Sequence, residues 1–184
     1  MQRKHLRALA LSLSIASLSA IASAALSSVK EPRVVFDASG PAGMKIEGVT
    51  SELSMADDGE NVVITVPLAN LSTGIGLRDH HMKEKYLEVP KYPAAKLTIA
   101  RNALKFPHEG ERAVAEVPAT IQLHGQTRPV SVHYEAKAAG AMFDARGSFR
   151  VNMNDFGITV PVYLGVTVKP DVDVSASFQV AEAK

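Results

Sequence analysis

The chain has 184 residues, no cysteine, and 20 basic against 19 acidic side chains. This balance, with an aromatic content of only 5%, excludes the basic surface with interleaved aromatics that nucleic-acid binding requires. The lack of cysteine excludes disulfides and a lipoprotein's cysteine anchor, so the fold must depend on an apolar core.

Residues 1–25 have the pattern of a secretory signal peptide. A basic start precedes an apolar run from Leu9 to Ile21, and Ala22-Ser23-Ala24 matches an A-x-A cleavage site. A membrane-spanning helix needs about 20 apolar residues, and this run is shorter. We therefore expect cleavage near Ala24 or Ala25, a periplasmic or secreted protein, and a mature domain that does not span the membrane.

From about residue 30 onward, apolar and polar residues alternate with a period of two. This pattern is typical of antiparallel strands that have one face in water. The runs that show it are 33–37, 44–54, 61–68, 96–104, 114–123, 130–137, 143–152 and 172–180. Turn sequences separate several of these runs: Asp57-Asp58-Gly59, His124-Gly125-Gln126-Thr127 and Ala138-Ala139-Gly140. About eight strands at this spacing predict one meandering barrel or sandwich over residues 30–182.

The inward faces of the predicted strands include the small residues Ala145, Gly147 and Ala176. A barrel of about eight strands either fills its interior with side chains or holds one small ligand. Small inward residues favour a cavity, and packing of a tapered interior is the alternative.

An irregular segment, residues 73–93, interrupts the strands. Two glycines lead out of the preceding strand, and Asp79 is a suitable N-cap for a helix from His80 to about Leu87. Pro90 ends this helix. The segment therefore predicts one short helix near residues 79–88, lying across one mouth of the barrel.

The polar cluster in this segment has two interpretations. Asp79, His80 and His81 form a candidate metal site, but adjacent helical residues point about 100° apart. The i, i+4 spacing of zinc helices is absent, and no serine has a nucleophile-elbow context. In the second interpretation, Arg78 and Asp79 bind backbone groups and hold the loop on the barrel. We therefore predict no catalytic residue, no metal and no cofactor.

Three motifs resemble the YceI-like family, in order over residues 32–181. The first is Pro67-Leu68-Ala69-Asn70-Leu71-Ser72-Thr73-Gly74, followed by Arg78-Asp79-His80-His81-Met82, Tyr86-Leu87 and Lys91-Tyr92-Pro93. The second is Ile121-Gln122-Leu123-His124-Gly125-Gln126-Thr127-Arg128-Pro129-Val130. The third is Phe149-Arg150-Val151-Asn152 with Asp155-Phe156-Gly157-Ile158.

The resemblance implies an all-β fold, an extended antiparallel eight-stranded lipocalin-like barrel with its short capping helix near residues 79–88. It also implies a secreted or periplasmic bacterial protein that holds a polyisoprenoid chain, such as a quinone tail or prenyl lipid, along an apolar interior. Homodimers occur in the family, so a homodimer is one expectation. Many members carry an apolar-Phe-x-x-x-His pattern near the start. Val35-Phe36-Asp37-Ala38-Ser39-Gly40 lacks that histidine, so a ligand contact made there is not carried over.

We predict a non-enzymatic protein that binds or carries an isoprenoid or similar long-chain lipid. The candidate ligand-binding residues are Arg78, His80, His81, Tyr86, Val132, Tyr134, Phe149 and Phe178. The residues assigned to structural motifs are Thr73, Gly74, Asp79, Gly125 and Pro129. Two alternatives remain: a structural envelope module with a filled barrel and no ligand, and a metal-dependent enzyme that uses Asp79, His80 and His81.

Overall fold

The computed structural model describes residues 26–163 and 166–182, and the predicted signal peptide lies outside this part of the chain. The alternating pattern correctly predicts a chain dominated by β-strands. The strands are β1 (Leu26–Ser39), β2 (Lys45–Thr50), β3 (Ser54–Asp57), β4 (Asn61–Pro67), β5 (Ala94–Ala100), β6 (Arg112–Leu123), β7 (Gln126–Ala139), β8 (Met142–Asn152), β9 (Val162–Tyr163), β10 (Val166–Thr167) and β11 (Asp171–Glu182).

Nine antiparallel strands form one sheet, curved into a half-barrel, in the order β2-β1-β11-β8-β7-β6-β5-β4-β3. The hairpin β9-β10 forms a separate two-stranded sheet. The predicted all-β, lipocalin-like fold class is confirmed. The strand count is nine rather than eight because the predicted strand 44–54 is broken. Its first half, β2, pairs with β1, and its second half, β3, pairs with β4.

The break brings the two edges of the sheet together, since β2 and β3 are the edge strands and only residues 51–53 separate them. Toward one end, the Leu26 amide donates to Asp57 Oδ2 at 2.7 Å. Toward the other, Val49 N donates to Ser72 O at 2.8 Å and Ser72 N donates to Val49 O at 2.9 Å. We call this junction the seam. The first bond joins β1 to the edge strand β3, and the other two join the edge strand β2 to the chain after β4. The latter two occupy backbone groups of Val49 that an open sheet edge would expose.

Burial follows the predicted alternation along the strands. In β7, Val132, Tyr134, Ala136 and Ala138 are buried, and the residues between them are exposed except for the half-buried Glu135. The neighbouring strands alternate in the same way, with their apolar side chains on the same face of the sheet. The half-barrel therefore has an apolar interior and a polar outer face.

One end of the half-barrel is closed by aromatic packing. The chain after β5 makes a 3-10 turn, Arg101–Ala103, and then folds inward. The rings of Phe106 and Phe143 meet edge to face, with 5.6 Å between centroids. The Arg101 guanidinium lies 5.1 Å from the Phe106 ring centroid, and its Nε donates to Asp57 Oδ2 at 2.8 Å. We call the Phe106–Phe143 pair the aromatic floor.

The opposite end of the half-barrel carries four of the connections between the antiparallel strands. They include residues 40–44, 68–93, 124–125, 153–163 and 166–170. The segment after β8 includes another 3-10 turn, Met153–Phe156, which ends at Gly157 in a left-handed conformation. The side chain of Phe156 is almost completely buried and closes part of this end.

The predicted helix is present, but its predicted start is wrong. Helix α1 spans Gly76–His81 and continues as a π-helical turn, Met82–Tyr86. Asp79 N donates to Ile75 O at 2.9 Å, so Asp79 lies within the first turn and is not the N-cap. We call residues 73–86 the cap. Within the described residues, no helix is long and apolar enough to cross a membrane.

Candidate functional site

The interior of the half-barrel contains a cavity of about 850 Å³. Side chains from all nine strands of the large sheet line it, together with the cap and the segment that carries Leu104 and Phe106. Pockets that hold one small organic ligand are commonly about 300–1,000 Å³ and mostly apolar. The cavity therefore has the size and the surface of a binding site for one apolar chain.

Small residues in the middle of the wall leave this space open. Gly147 of β8 pairs with Ala176 of β11, and both line the cavity. A Cβ atom placed on Gly147 would meet only Val132 Cγ1 at 3.4 Å and the His133 carbonyl oxygen at 4.0 Å, which is ordinary contact. Ala145, one step nearer the aromatic floor, also lines the cavity. The space beside these small residues is therefore empty and is not filled by larger neighbouring side chains.

Tyr134 places a polar group in the apolar wall, but that group is already paired. Its hydroxyl donates to the Lys105 carbonyl oxygen at 3.1 Å. Burial raises the pKa of Tyr134 to about 12, so the hydroxyl stays neutral at physiological pH. This bond ties β7 to the segment behind the aromatic floor and fixes the ring as part of the wall.

The cap is held by a compact network centred on Thr73. Asp79 Oδ1 accepts from the Thr73 amide at 2.7 Å and from the Thr73 hydroxyl, and Asp79 Oδ2 accepts from the Ser72 hydroxyl at 2.8 Å. Arg78 Nε donates to Thr73 Oγ1, and Arg78 Nη2 donates to the Thr73 carbonyl oxygen, both at 2.7 Å. Because Ser72 also pairs with Val49 across the seam, this network fastens the cap to the sheet.

The hydrogen bonds of this network stabilise the charged form of the Asp79 carboxylate. Burial alone would raise the pKa of Asp79, but the hydrogen bonds from Thr73 and Ser72 outweigh burial and lower that pKa. Both carboxylate oxygens already accept protein hydrogen bonds. In residues 26–163 and 166–182, no cluster of three or more His, Cys, Asp or Glu side chains is placed to hold a metal ion.

The structure brings most of the predicted ligand-binding residues to the cavity. Those that line it are Arg78, His81, Tyr86, Val132, Tyr134, Phe149 and Phe178. His80 is exposed and is not among the lining residues. The cap thus contributes Arg78, His81 and Tyr86 at one end of the cavity.

The residues assigned to structural motifs lie in turns and pairings at the cap end. Gly74 and Gly125 have φ angles of 76° and 73°, a region that favours glycine. A Cβ on Gly125 would also lie 2.7 Å from Tyr92 Cε1. Pro129 lies in β7 opposite Thr120 of β6.

The role of His124 was not predicted, because its sequence context indicates an ordinary turn. The side chain is only 10% exposed, and Nδ1 lies 2.9 Å from the Phe156 carbonyl oxygen. Its ring lies 4.5 Å from the Tyr92 ring, and Nε2 lies 3.6 Å from Glu88 Oε1. His124 therefore joins its own turn to the segments that carry Tyr92 and Phe156. These partners are distant in sequence, so no local sequence pattern predicts the contacts.

Lys85 lines the cavity from the π-helical turn, beside Met82 and Tyr86, and was not among the predicted site residues. The predicted helix began at His80, four residues after the observed start. In β1, Phe36 lines the cavity opposite Gly48 of β2, and a Cβ on Gly48 would overlap its ring. The glycine thus allows the Phe36 ring to lie flat against β2.

Solved structures with the same fold support this architecture. A polyisoprenoid-binding domain from Saccharophagus degradans, implicated in plant cell wall breakdown, has a TM-score of 0.73 at 16% identity, covering 87% of this chain and 99% of that one. BcnA from Burkholderia cenocepacia has a TM-score of 0.64 at 15% identity, covering 80% and 95%. A YceI protein from Campylobacter jejuni has a TM-score of 0.57 at 16% identity, covering 76% and 86%. A search of curated proteins finds no match.

The family comparison agrees with the three sequence motifs. The model of the YceI-like domain matches residues 23–180, which is most of the chain. The matched range contains the seam, the cap, the cavity and the His124 turn. The chain belongs to the YceI-like family.

Proposed function

We propose that this protein binds one isoprenoid or similar long-chain amphiphilic lipid inside the half-barrel, without catalysing a reaction on it. The observation that carries the proposal is the apolar cavity of about 850 Å³, with the aromatic floor at one end and the cap at the other. The Saccharophagus degradans domain with the same fold is described as polyisoprenoid-binding, which supports the proposal by analogy.

Apolar burial supplies the affinity. Each Å² of apolar surface removed from water contributes about 25 cal/mol, before the cost of immobilising the ligand. A chain of hydrocarbon units suits this cavity because almost all of the lining side chains are apolar. Polar lining side chains such as Arg78, His81 and Lys85 belong to the cap, so a polar head group fits at that end.

The polar groups beside the cavity favour binding over catalysis. The Tyr134 hydroxyl is held by Lys105, and the Asp79 carboxylate is held by Thr73 and Ser72. Both groups have roles in holding the fold together. The cavity itself argues against the alternative of a structural module with a filled barrel.

We further propose that the protein acts in the periplasm or outside the cell. The signal-peptide pattern of residues 1–25 supports this location. In that compartment, a carrier that shields an apolar chain from water has a clear physical use, because such a chain has very low solubility.

The test is extraction of the purified protein with organic solvent, followed by mass spectrometry of the extract. The informative variant is Gly147→Leu/Ala176→Leu, because these two residues pair with each other and face the cavity. The matched control is Ser148→Leu/Ser175→Leu, because these serines are the next cross-strand pair and are exposed on the outer face.

We expect one lipid per wild-type protein, the same in the outward control, and at least a tenfold loss in the inward variant. Circular dichroism and thermal unfolding check that both variants remain folded. A wild-type extract without lipid, or equal lipid in the two folded variants, contradicts the proposal.

A further inference from the structure

Exposed apolar side chains surround one end of the cavity. The structure describes five large apolar residues that are substantially exposed. Four of them, Met44, Ile75, Leu77 and Val162, also line the cavity, and they are between 47% and 68% exposed. We call these four residues the mouth rim. The fifth, Val114, lies on β6 and does not line the cavity.

The mouth rim comes from three separate parts of the chain. Met44 follows the β1–β2 turn, Ile75 and Leu77 belong to the cap, and Val162 lies in β9. All three parts are connections at the cap end. Single exposed apolar residues are common on protein surfaces, but a group of them around one opening marks an interaction site.

The charged side chains that line the cavity near the mouth rim are all positive. Arg78 and Lys85 line the cavity from the cap, and no described Asp or Glu lines it. The cap has two carboxylates, and one of them, Asp79, is bonded to Thr73 and Ser72. Glu84 is exposed on the cap but is not a lining residue. The opening is therefore apolar with adjacent cationic side chains.

We propose that the mouth rim docks on the surface of an anionic lipid bilayer, and that the bound lipid enters and leaves the cavity through this contact. Apolar side chains beside basic ones are the combination that holds proteins at a bilayer interface. A long apolar chain has a negligible concentration in free water, so direct contact with the bilayer removes the aqueous step. The inference rests on the proposed lipid-binding function and names the source of its ligand.

The test is flotation of the purified protein, as the cell processes it, with lipid vesicles. One vesicle type contains phosphatidylcholine alone, and the other contains about one third phosphatidylglycerol, which supplies negative charge. The test variant is Ile75→Asp/Leu77→Asp, because both side chains are exposed in the cap. The matched control is Val114→Asp, which replaces the exposed apolar residue that lies away from the mouth rim.

We expect the wild type and Val114→Asp to float with the anionic vesicles. The bound fraction of Ile75→Asp/Leu77→Asp should fall about tenfold or more, because two apolar insertions are replaced by charges of the same sign as the bilayer. Binding to the neutral vesicles should be weaker for the wild type and for Val114→Asp, since the basic residues then have no anionic partner.

Two results overturn the inference. One is failure of the wild type to bind anionic vesicles, and the other is binding of Ile75→Asp/Leu77→Asp to these vesicles as strongly as the wild type. The first result would assign the mouth rim to some other partner, such as a protein. Solvent extraction of the same preparations separates this failure from failure of the proposed function. Lipid present in a protein that does not bind vesicles leaves the binding function intact and removes the bilayer contact.

Discussion

At the scale of single residues, Asp57 connects three parts of the fold. Its side chain has no exposed surface. Oδ2 accepts from the Leu26 amide at 2.7 Å and from Arg101 Nε at 2.8 Å, and Oδ1 accepts from the Gly59 amide at 2.9 Å. One carboxylate thus holds the seam, the aromatic floor and the β3–β4 turn.

Asp57 should make the stability of the protein sensitive to acid. Burial alone would raise the pKa of Asp57, but the hydrogen bonds from Arg101, Leu26 and Gly59 lower it below its usual value. A lowered pKa contributes stability that is fully present above the unfolded-state value of about 3.9 and is lost as the pH falls through the folded-state pKa. Urea unfolding of wild type and Asp57→Asn, at neutral pH and near pH 3, measures this contribution.

We expect Asp57→Asn to be less stable by about 3 kcal/mol at neutral pH, since it removes the carboxylate from a buried ion pair. Its disadvantage should shrink as the pH falls below about 3.9, because the unfolded wild-type chain then binds a proton at Asp57 more readily than the folded protein does. A constant difference between the two proteins across this pH range would show that the charge of Asp57 does not matter.

Gly125 should be one of the least replaceable glycines. Its φ of 73° already disfavours other residues, and a Cβ would lie 2.7 Å from Tyr92 Cε1. Gly110 is the matched control, because its φ is 82° but a Cβ there would have nothing within 4 Å. Gly110→Ala should cost about 1 kcal/mol from the backbone alone, and Gly125→Ala about 1–2 kcal/mol more from the added clash.

Denaturant unfolding of the two alanine variants, compared with wild type, gives these free energies. Equal losses in Gly110→Ala and Gly125→Ala would mean that Tyr92 moves aside at no cost, and that the packing of the Tyr92 and His124 rings is not rigid.

At the scale of elements, the cap is fastened by polar contacts more than by burial. The structure assigns no fully buried residue to α1 or to its π-helical turn. The Asp79 hydrogen bonds to Thr73 and Ser72 therefore carry much of the attachment. Such an element can open without unfolding the sheet behind it.

Asp79→Ala should loosen the cap and leave the sheet intact. Hydrogen bonds to a charged group contribute about 1.5–3 kcal/mol, so amide exchange in residues 73–86 should accelerate by about tenfold or more. Glu84→Ala is the control, because Glu84 is exposed in the same segment. Hydrogen exchange with mass spectrometry makes the measurement, and unchanged protection of the cap in Asp79→Ala would show that packing alone holds it.

The strands were predictable because one face of each is buried and the other is wet, which imposes the alternation directly on the sequence. The break in the strand 44–54 was not, since it depends on pairing with two distant partners, β1 and β4. The helix start was misplaced for a related reason. Asp79 resembles an N-cap, but its carboxylate turns back to Thr73, and the helix begins at Gly76 without a side-chain cap.

At the scale of the whole molecule, the fold encloses a space that its inward residues do not fill. The small residues Ala145, Gly147 and Ala176 were predicted to face inward, and all three line the cavity. The closed end was not predictable, because closure depends on Phe106, which reaches Phe143 from a segment outside the alternating pattern. The mouth rim was also not predictable, because its residues come from three connections that are far apart in sequence.

The central claim is that a single lipid chain occupies this cavity, and a crystal structure of the protein purified without removal of lipid tests it most directly. We predict one continuous, elongated density that runs from the aromatic floor to Arg78 and Lys85 at the cap. A cavity closed by repacked side chains, or one that contains only ordered water, would contradict the account.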